Sequence, residues 1–240
     1  MSAAARRRFG QPRLHLRLTG STNDVCRTLA EAGAPSGTIV TAAEQSAGRG
    51  RRGRTWLARP GEALLVSALL RDVGERHALL ALAVPLAVCE ALDELGAGGS
   101  LIKWPNDVWR EDRKLAGVLI EARPPAWAVI GVGINARGSS AAPQDRWRAG
   151  EAGVEPESLL PALCDALDRL VGDPPSDLGE RYGARDLLRG RRITWEGGGG
   201  GAGVARGVDA SGALRVELDD GAERLLRAGE VSLATLGDGV

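Results

Sequence analysis

The chain has 240 residues, 31 basic and 31 acidic side chains, and a hydrophobic fraction of 43%. That length suggests one main domain with a small appendage, large enough to bury a core without disulfide staples. Zero net charge gives no global basic field of the kind a dedicated nucleic-acid binder carries, and the apolar runs are far too short for a membrane span.

Along the chain, Arg6, Arg7 and Arg8 have no apolar stretch behind them. A secretory signal is therefore excluded, and residues 1–12 read as a mobile basic lead-in. Ser21-Thr22-Asn23-Asp24 precedes Val25, Leu29 and Ala32 at helical spacing. With Ser or Thr as N-cap and Gly33 past the end, this predicts a short capped helix. Thr38 to Ala43 is β-prone, Gln45 to Gly61 is too rich in Gly and Arg for a regular element, and Ala63 to Leu70 reads as a buried strand. Glu75 to Leu95, free of glycine and stopped at Gly96, is expected to be the main helix. Leu101 to Trp104 is a short strand ended by Pro105, which cannot donate to a ladder. Val108-Trp109, a polar turn and Leu115 to Glu121 predict a hairpin, and Trp127 to Ile134 another strand. Residues 138–157 look like a loop; Glu157 to Val171 and Leu178 to Leu188 look helical. This order argues for an α+β layer with an antiparallel or mixed sheet. From Arg191, short strands with turn signals between them predict a small β-barrel, and the glycines at 197–201 a hairpin loop. The expected division is a lead-in over 1–12, a catalytic domain over 13–188 and a small barrel over 189–240. Cys26, Cys89 and Cys164 form no CxxC pair and read as three buried thiols of a reducing cytosol.

Three segments carry chemistry. Of the 31 basic residues only Lys103 and Lys114 are lysines, and both fall in IKWPNDVWREDRKLAG. A GC-rich coding bias could strip lysine from anywhere. Two survivors within twelve residues suggest sites that need a compact ammonium rather than a planar guanidinium. In the same segment, Pro105 places Asn106 and Asp107 at a strand mouth, and the hairpin folds Lys114 back beside them. Taken alone, Asp107 reads first as a turn-initiating aspartate. Upstream, Gln45-Ser46-Ala47-Gly48-Arg49-Gly50-Arg51-Arg52-Gly53-Arg54-Thr55-Trp56 contains GxGxxG, but Pro60-Gly61 leave no room for the helix that a dinucleotide fingerprint requires. Its four guanidiniums, spaced by glycines, suggest an anion clamp that is mobile when empty, because like charges repel and nothing apolar anchors them. An RNA-binding patch or a solvated loop would use the same residues. Finally, Gly131-Val132-Gly133-Ile134-Asn135 is a strand whose glycines leave room for a flat ligand, or mark a bulge.

STN, QxxGRGRRGRxW, KWPND, KLAGxLxE and GxGIN, in that order over residues 14–235, resemble the biotin–protein ligases. The resemblance implies a class II aminoacyl-tRNA-synthetase-like mixed sheet followed by an SH3-like barrel. It implies an ATP-dependent ligase of the cytoplasm that forms biotinyl-5′-AMP and pyrophosphate, then transfers biotin to a lysine of a biotin carboxyl carrier protein. Ser21, Thr22, Asn23 and Gln45 match positions that hold the ureido ring, and Arg49, Gly50 and Arg51 match the closing loop. Lys114 matches the residue that meets the biotin carboxylate and the reacting phosphate. Arg49, Arg51, Arg54, Trp56, Asn106, Lys114 and Asn135 are the implied nucleotide site, with Trp56 and Asn135 at the adenine. Lys114, Arg51, Asp107 and Lys103 are the implied catalytic set, and Asp107 is the nearest candidate to take the acceptor's proton. ATP and biotin are substrates; Mg²⁺ is expected with no ligand residues identified, and no tightly bound cofactor. Some relatives carry a DNA-binding winged helix in front; here only residues 1–12 precede the first strand, so a repressor role and a nucleic-acid partner are not expected. Neither is a membrane partner, and the chain should be a monomer or weak homodimer. A lipoate or octanoyl transferase of related fold would lack the arginine loop.

Overall fold

The computed structural model describes residues 9–137, 150–197, 199–227 and 229–233. Its central sheet has seven strands: β1 (Arg13–Thr19), β2 (Ile39–Gln45), β3 (Ala63–Arg71), β4 (Leu101–Lys103), β5 (Asp107–Arg110), β6 (Arg113–Arg123) and β7 (Trp127–Asn135). Their spatial order is β1-β2-β3-β7-β6-β5-β4, with β1 and β2 parallel and the other pairs antiparallel. The class is the expected α+β with a mixed sheet.

The two-residue period of β3 and β7 decides what each face does. Leu64, Val66, Ala68 and Leu70 join Ala128, Ile130, Val132 and Ile134 in the main core. Helices α2 (Leu80–Glu94) and α3 (Pro156–Leu170) supply the rest of that core. The alternate positions, Ser67 on β3 and Gly131, Gly133 and Asn135 on β7, must then face the other way. There α1 (Thr22–Glu31) seals only part of the sheet, through a small core of Cys26, Ala30, Val40, Leu69, Trp127 and Val129. The part left uncovered becomes the pocket.

Several helix boundaries differ from expectation. Ser21 occupies the N-cap position of α1 but makes no side-chain capping hydrogen bond; it is buried and lines the pocket instead. Gly33, with φ of 89°, ends this helix as expected. Residues Gly74–Leu79 form a 3₁₀ turn, so α2 starts at Leu80 rather than Glu75. A further helix, α4 (Pro175–Gly183), stops short of the expected Leu188. The reason is tertiary: the Ile102 amide donates to Arg185 O (2.7 Å) and the Leu187 amide to Ile102 O (2.9 Å), so the chain leaves the helix to border β4. Of the loop expected at 138–157, residues 138–149 lie outside the described residues, and α3 begins at Pro156.

The C-terminal segment is an antiparallel sheet of β8 (Arg192–Glu196), β9 (Gly201–Val208), β10 (Leu214–Glu217), β11 (Glu223–Leu226) and β12 (Glu230–Leu233), ordered β11-β10-β9-β8-β12. The glycine run joins β8 to β9, and its described members Gly197, Gly199, Gly200 and Gly201 all have positive φ, as a tight hairpin loop requires. The core of this sheet includes Leu188 and Trp104 from the preceding layer. All three thiols are buried, and burial raises Cys26 and Cys164 to about 12 and Cys89 to about 11, well above the thiolate range. Among the described residues, no helix is long and apolar enough to cross a membrane.

Candidate active site

The polar centre of the pocket is built by the short strands β4 and β5 and the start of the long strand β6. Lys103 and Asp107 face each other across β4 and β5, and a bulge between Val108 and Trp109 shifts the next register so that Lys114 comes opposite Trp109. A bulge re-aims side chains that a regular ladder would send to opposite faces. Lys114 Nζ thereby comes 2.7 Å from Asp107 Oδ1. Lys103 is only 6% exposed, its ammonium 4.9 Å from the centroid of the Trp109 ring. Desolvation, opposed by Asp107 and assisted by nearby Lys114, lowers Lys103 to about 8. Two lysines thus share one acidic neighbour, as expected of the pair.

Two amides brace this centre. Asn106 Nδ2 donates to Val118 O (2.7 Å), which leaves Asn106 Oδ1 to accept from the Arg51 guanidinium at 3.3 Å. Asn135 Nδ2 donates to Lys114 O at 3.2 Å and so pins the lysine's backbone. Burial, ahead of the repulsion from Arg52 and Arg54, lowers the pKa of Arg51 from its ordinary value.

The arginine loop differs from the clamp expected of it. Arg51 faces Asn106, but Arg49 lies 2.8 Å from Asp24 and 3.2 Å from Glu121, while Arg54 (2.5 Å) and Arg52 (3.7 Å) approach Glu230 of the C-terminal sheet. The expected mutual repulsion is offset by carboxylates from three separate elements. Nor does the loop lack an apolar anchor. Trp56 lies over the pocket floor so closely that a Cβ at Gly133 would stand 2.5 Å from its indole and one at Gly117 3.0 Å. The strand glycines do make room for a flat group, and here that group is the protein's own tryptophan.

At the other end, α1 and β2 bring Thr22 and Gln45 together: the Thr22 amide donates to Gln45 Oε1 at 2.7 Å. Asn23 lies on Gly131, where any Cβ would overlap its amide. Its Nδ2 donates to Glu121 Oε2 (2.8 Å) and Leu119 O (3.3 Å), and its Oδ1 accepts from Ser67 Oγ at 2.6 Å.

Every site residue expected from the sequence lines one pocket of about 1570 Å³, counted with its open mouth. Arg49 and Asn23 line it with their polar groups engaged by protein. Sequence reasoning missed Ser67 and Glu230, and gave no role to Gly117 and Glu121 although both stand in KLAGxLxE. Ser67 had a signal, as the one polar residue in the strand ALLVSALL. Glu230 had none, lying far along the chain from the loop it meets. Among the described residues, no group of three His, Cys, Asp or Glu side chains could hold a metal ion.

Residues 16–135 match the biotin/lipoate A/B protein ligase family and residues 190–234 the biotin protein ligase C-terminal domain. The chain is 32% identical over 232 residues to the biotin–[acetyl-CoA-carboxylase] ligase of Mycobacterium tuberculosis, covering 89% of this chain and 85% of the relative. It superposes on the Aquifex aeolicus biotin protein ligase in complex with biotin and ATP with a TM-score of 0.81 at 26% identity, covering 93% and 99% of the two chains. A Leishmania major biotin protein ligase in complex with biotinyl-5-AMP matches with a TM-score of 0.64 at 26% identity, covering 91% and 99%.

Proposed function

Because the chain belongs to the biotin protein ligase family, we propose a specific division of labour in its pocket for the ATP-dependent biotinylation that the family performs. The observation that carries the proposal is the meeting of Lys114, Asp107, Asn106 and Arg51 at one end of a pocket whose other end is Thr22 and Gln45. A molecule with a polar uncharged head and a carboxylate tail fits that polarity lengthwise.

The first step sets a carboxylate against the α-phosphate of ATP, anion against anion. Cations held in a partly dry site lower that repulsion far more than they would in water. Lys114 is the nearest to the reacting oxygens in this reading, with Arg51 across from it, and Lys103 adds positive potential from behind. The biotin carboxylate oxygen bonds to phosphorus, the bond to the β-phosphate oxygen breaks, and pyrophosphate leaves with its electron pair. Mg²⁺ enters with the nucleotide as part of that substrate, since this ion keeps water and phosphate oxygens as ligands. Trp56 and Asn135 receive the adenine, and Arg54 exchanges Glu230 for a phosphate oxygen. Loop closure keeps water from the mixed anhydride.

In the second step the acceptor lysine of a biotin carboxyl carrier domain attacks the anhydride carbonyl as a neutral amine, and AMP departs. Asp107, exposed enough to meet it, takes the proton while Lys114 stabilises the leaving phosphate. The C-terminal sheet, read as an SH3-like module, supports the loop through Glu230 and borders the entry for the carrier.

The test is ATP–pyrophosphate exchange. Exchange that requires biotin and is not sustained by lipoate supports the reading; exchange with lipoate in place of biotin, or none with either, overturns it.

A further inference from the structure

Behind the end of the pocket formed by Thr22 and Gln45 lies a row of hydrogen bonds that leads away from the pocket surface. It runs from Glu121 on β6 through Asn23 and Ser67 to Thr22. The direction of every proton in it follows from Glu121. An ionised carboxylate only accepts, so the atom 2.8 Å from Glu121 must be the donating Nδ2 of Asn23. The second proton of that amide goes to the Leu119 carbonyl. Asn23 Oδ1 therefore points to β3 and takes the single proton of Ser67, at 2.6 Å. Having spent its proton, Ser67 Oγ can only accept from the Thr22 hydroxyl 2.8 Å away. Thr22 then has no proton for Gln45 Oε1 at 3.1 Å or for a ligand. Gln45 Oε1 is held by the Thr22 amide, which leaves its Nε2 as the donor end.

We propose that Ser67 and Glu121 are positioning residues that impose this polarity: Thr22 Oγ1 faces the ligand as an acceptor, which suits a ureide N–H. A ligand group that only accepts would meet a lone pair there. The inference rests on the biotin reading above and names what within the protein enforces it. Ser67 is wholly buried within an apolar strand, where a hydroxyl without partners would be a net cost, so the row accounts for its presence. Gly131 belongs to the same device, because any side chain there would displace Asn23. Glu121 also meets Arg49 of the loop at 3.2 Å and Arg27 of α1 at 3.7 Å, so the carboxylate is held from three sides.

The experiment compares Ser67→Ala and Glu121→Gln with the unaltered protein in pyrophosphate exchange, using biotin and a biotin methylated on the ureido nitrogen, which has no N–H to give Thr22. Ser67→Ala releases the Thr22 proton, and the KM for biotin should rise about tenfold, the worth of a hydrogen bond to a correctly directed group, with KM for ATP unchanged. The preference for biotin over the N-methylated acid, measured as the ratio of kcat/KM values, should fall by a similar factor. Glu121→Gln allows Asn23 to turn over and should move the same ratio in the same direction. An equal loss for both acids, or an unchanged ratio in Glu121→Gln, overturns the proposal. Absence of biotin-dependent exchange in the unaltered protein would instead refute the assignment of biotin itself.

Discussion

Trp104 donates its indole Nε1 to the carbonyl oxygen of Gly212, 2.9 Å away and 108 positions further along the chain. The tryptophan of the KWPND segment is thus a core residue of the C-terminal sheet, packed with Leu188, Ile193 and Trp195. Its neighbours Lys103 and Asn106 belong to the active site. The docking of one layer on the other therefore sets where these site residues stand.

Trp104→Ala should destabilise the protein by about 3–5 kcal/mol, the range for deleting a large buried aromatic. Trp104→Phe keeps most of the contact area and loses chiefly the hydrogen bond, costing about 1 kcal/mol. Urea unfolding measures both; equal losses would mean that packing contributes little at this junction.

Lys114→Arg keeps the charge but replaces a compact ammonium, 2.7 Å from Asp107, with a wider planar group. Pyrophosphate exchange should fall at least ~100-fold, of the order seen when one group that stabilises transition-state charge is lost. Near-normal exchange would show that any cation serves there.

Gly133→Ala places a methyl group 2.5 Å from the Trp56 indole. The backbone tolerates alanine here, so the tryptophan and its loop must move. The expected result is a raised KM for ATP with little change in KM for biotin, together with a shift in tryptophan fluorescence.

Lys103 adds a pH dependence. Its folded-state pKa of about 8 lies below the ordinary 10.5, with burial as the leading cause. Below pH 8 the ammonium is charged in both states and its burial is a net cost to the fold. Between the two values the unfolded chain holds the extra proton, so stability from this residue rises with pH. At 1.36 kcal/mol per unit the gain is at most about 3 kcal/mol. Lys103→Met should abolish that rise in denaturation measured from pH 7 to 10; an unchanged slope would assign it elsewhere.

Arg51→Ala should increase escape of the activated acid, read as biotin label on unrelated proteins, because the guanidinium that closes on Asn106 is gone. Unchanged labelling would remove the guarding role from this loop.

Local chemistry made much of this protein legible before any coordinates. Near-continuous apolar runs in Ala63 to Leu70 and Trp127 to Ile134, the glycine stops at Gly33 and Gly96, and two lysines concentrated in one hairpin are properties of neighbours in sequence. They led to the strands, the helices and the polar end of the pocket. The end of α4 was misread because its apolar spacing continues past Gly183, while hydrogen bonds to Ile102, a residue from another part of the chain, draw Arg185 and Leu187 into an extended path. Periodicity carries no information about such a partner. The same holds for the arginine loop: its charges were visible, whereas Asp24, Glu121 and Glu230, which balance them, converge only when three elements pack. Which residues are chemically able to act was written in the order of the amino acids. Which proton points where, and which glycine must stay bare for Trp56 or Asn23, depended on contacts between residues far apart in the chain, whose distances exist only after folding.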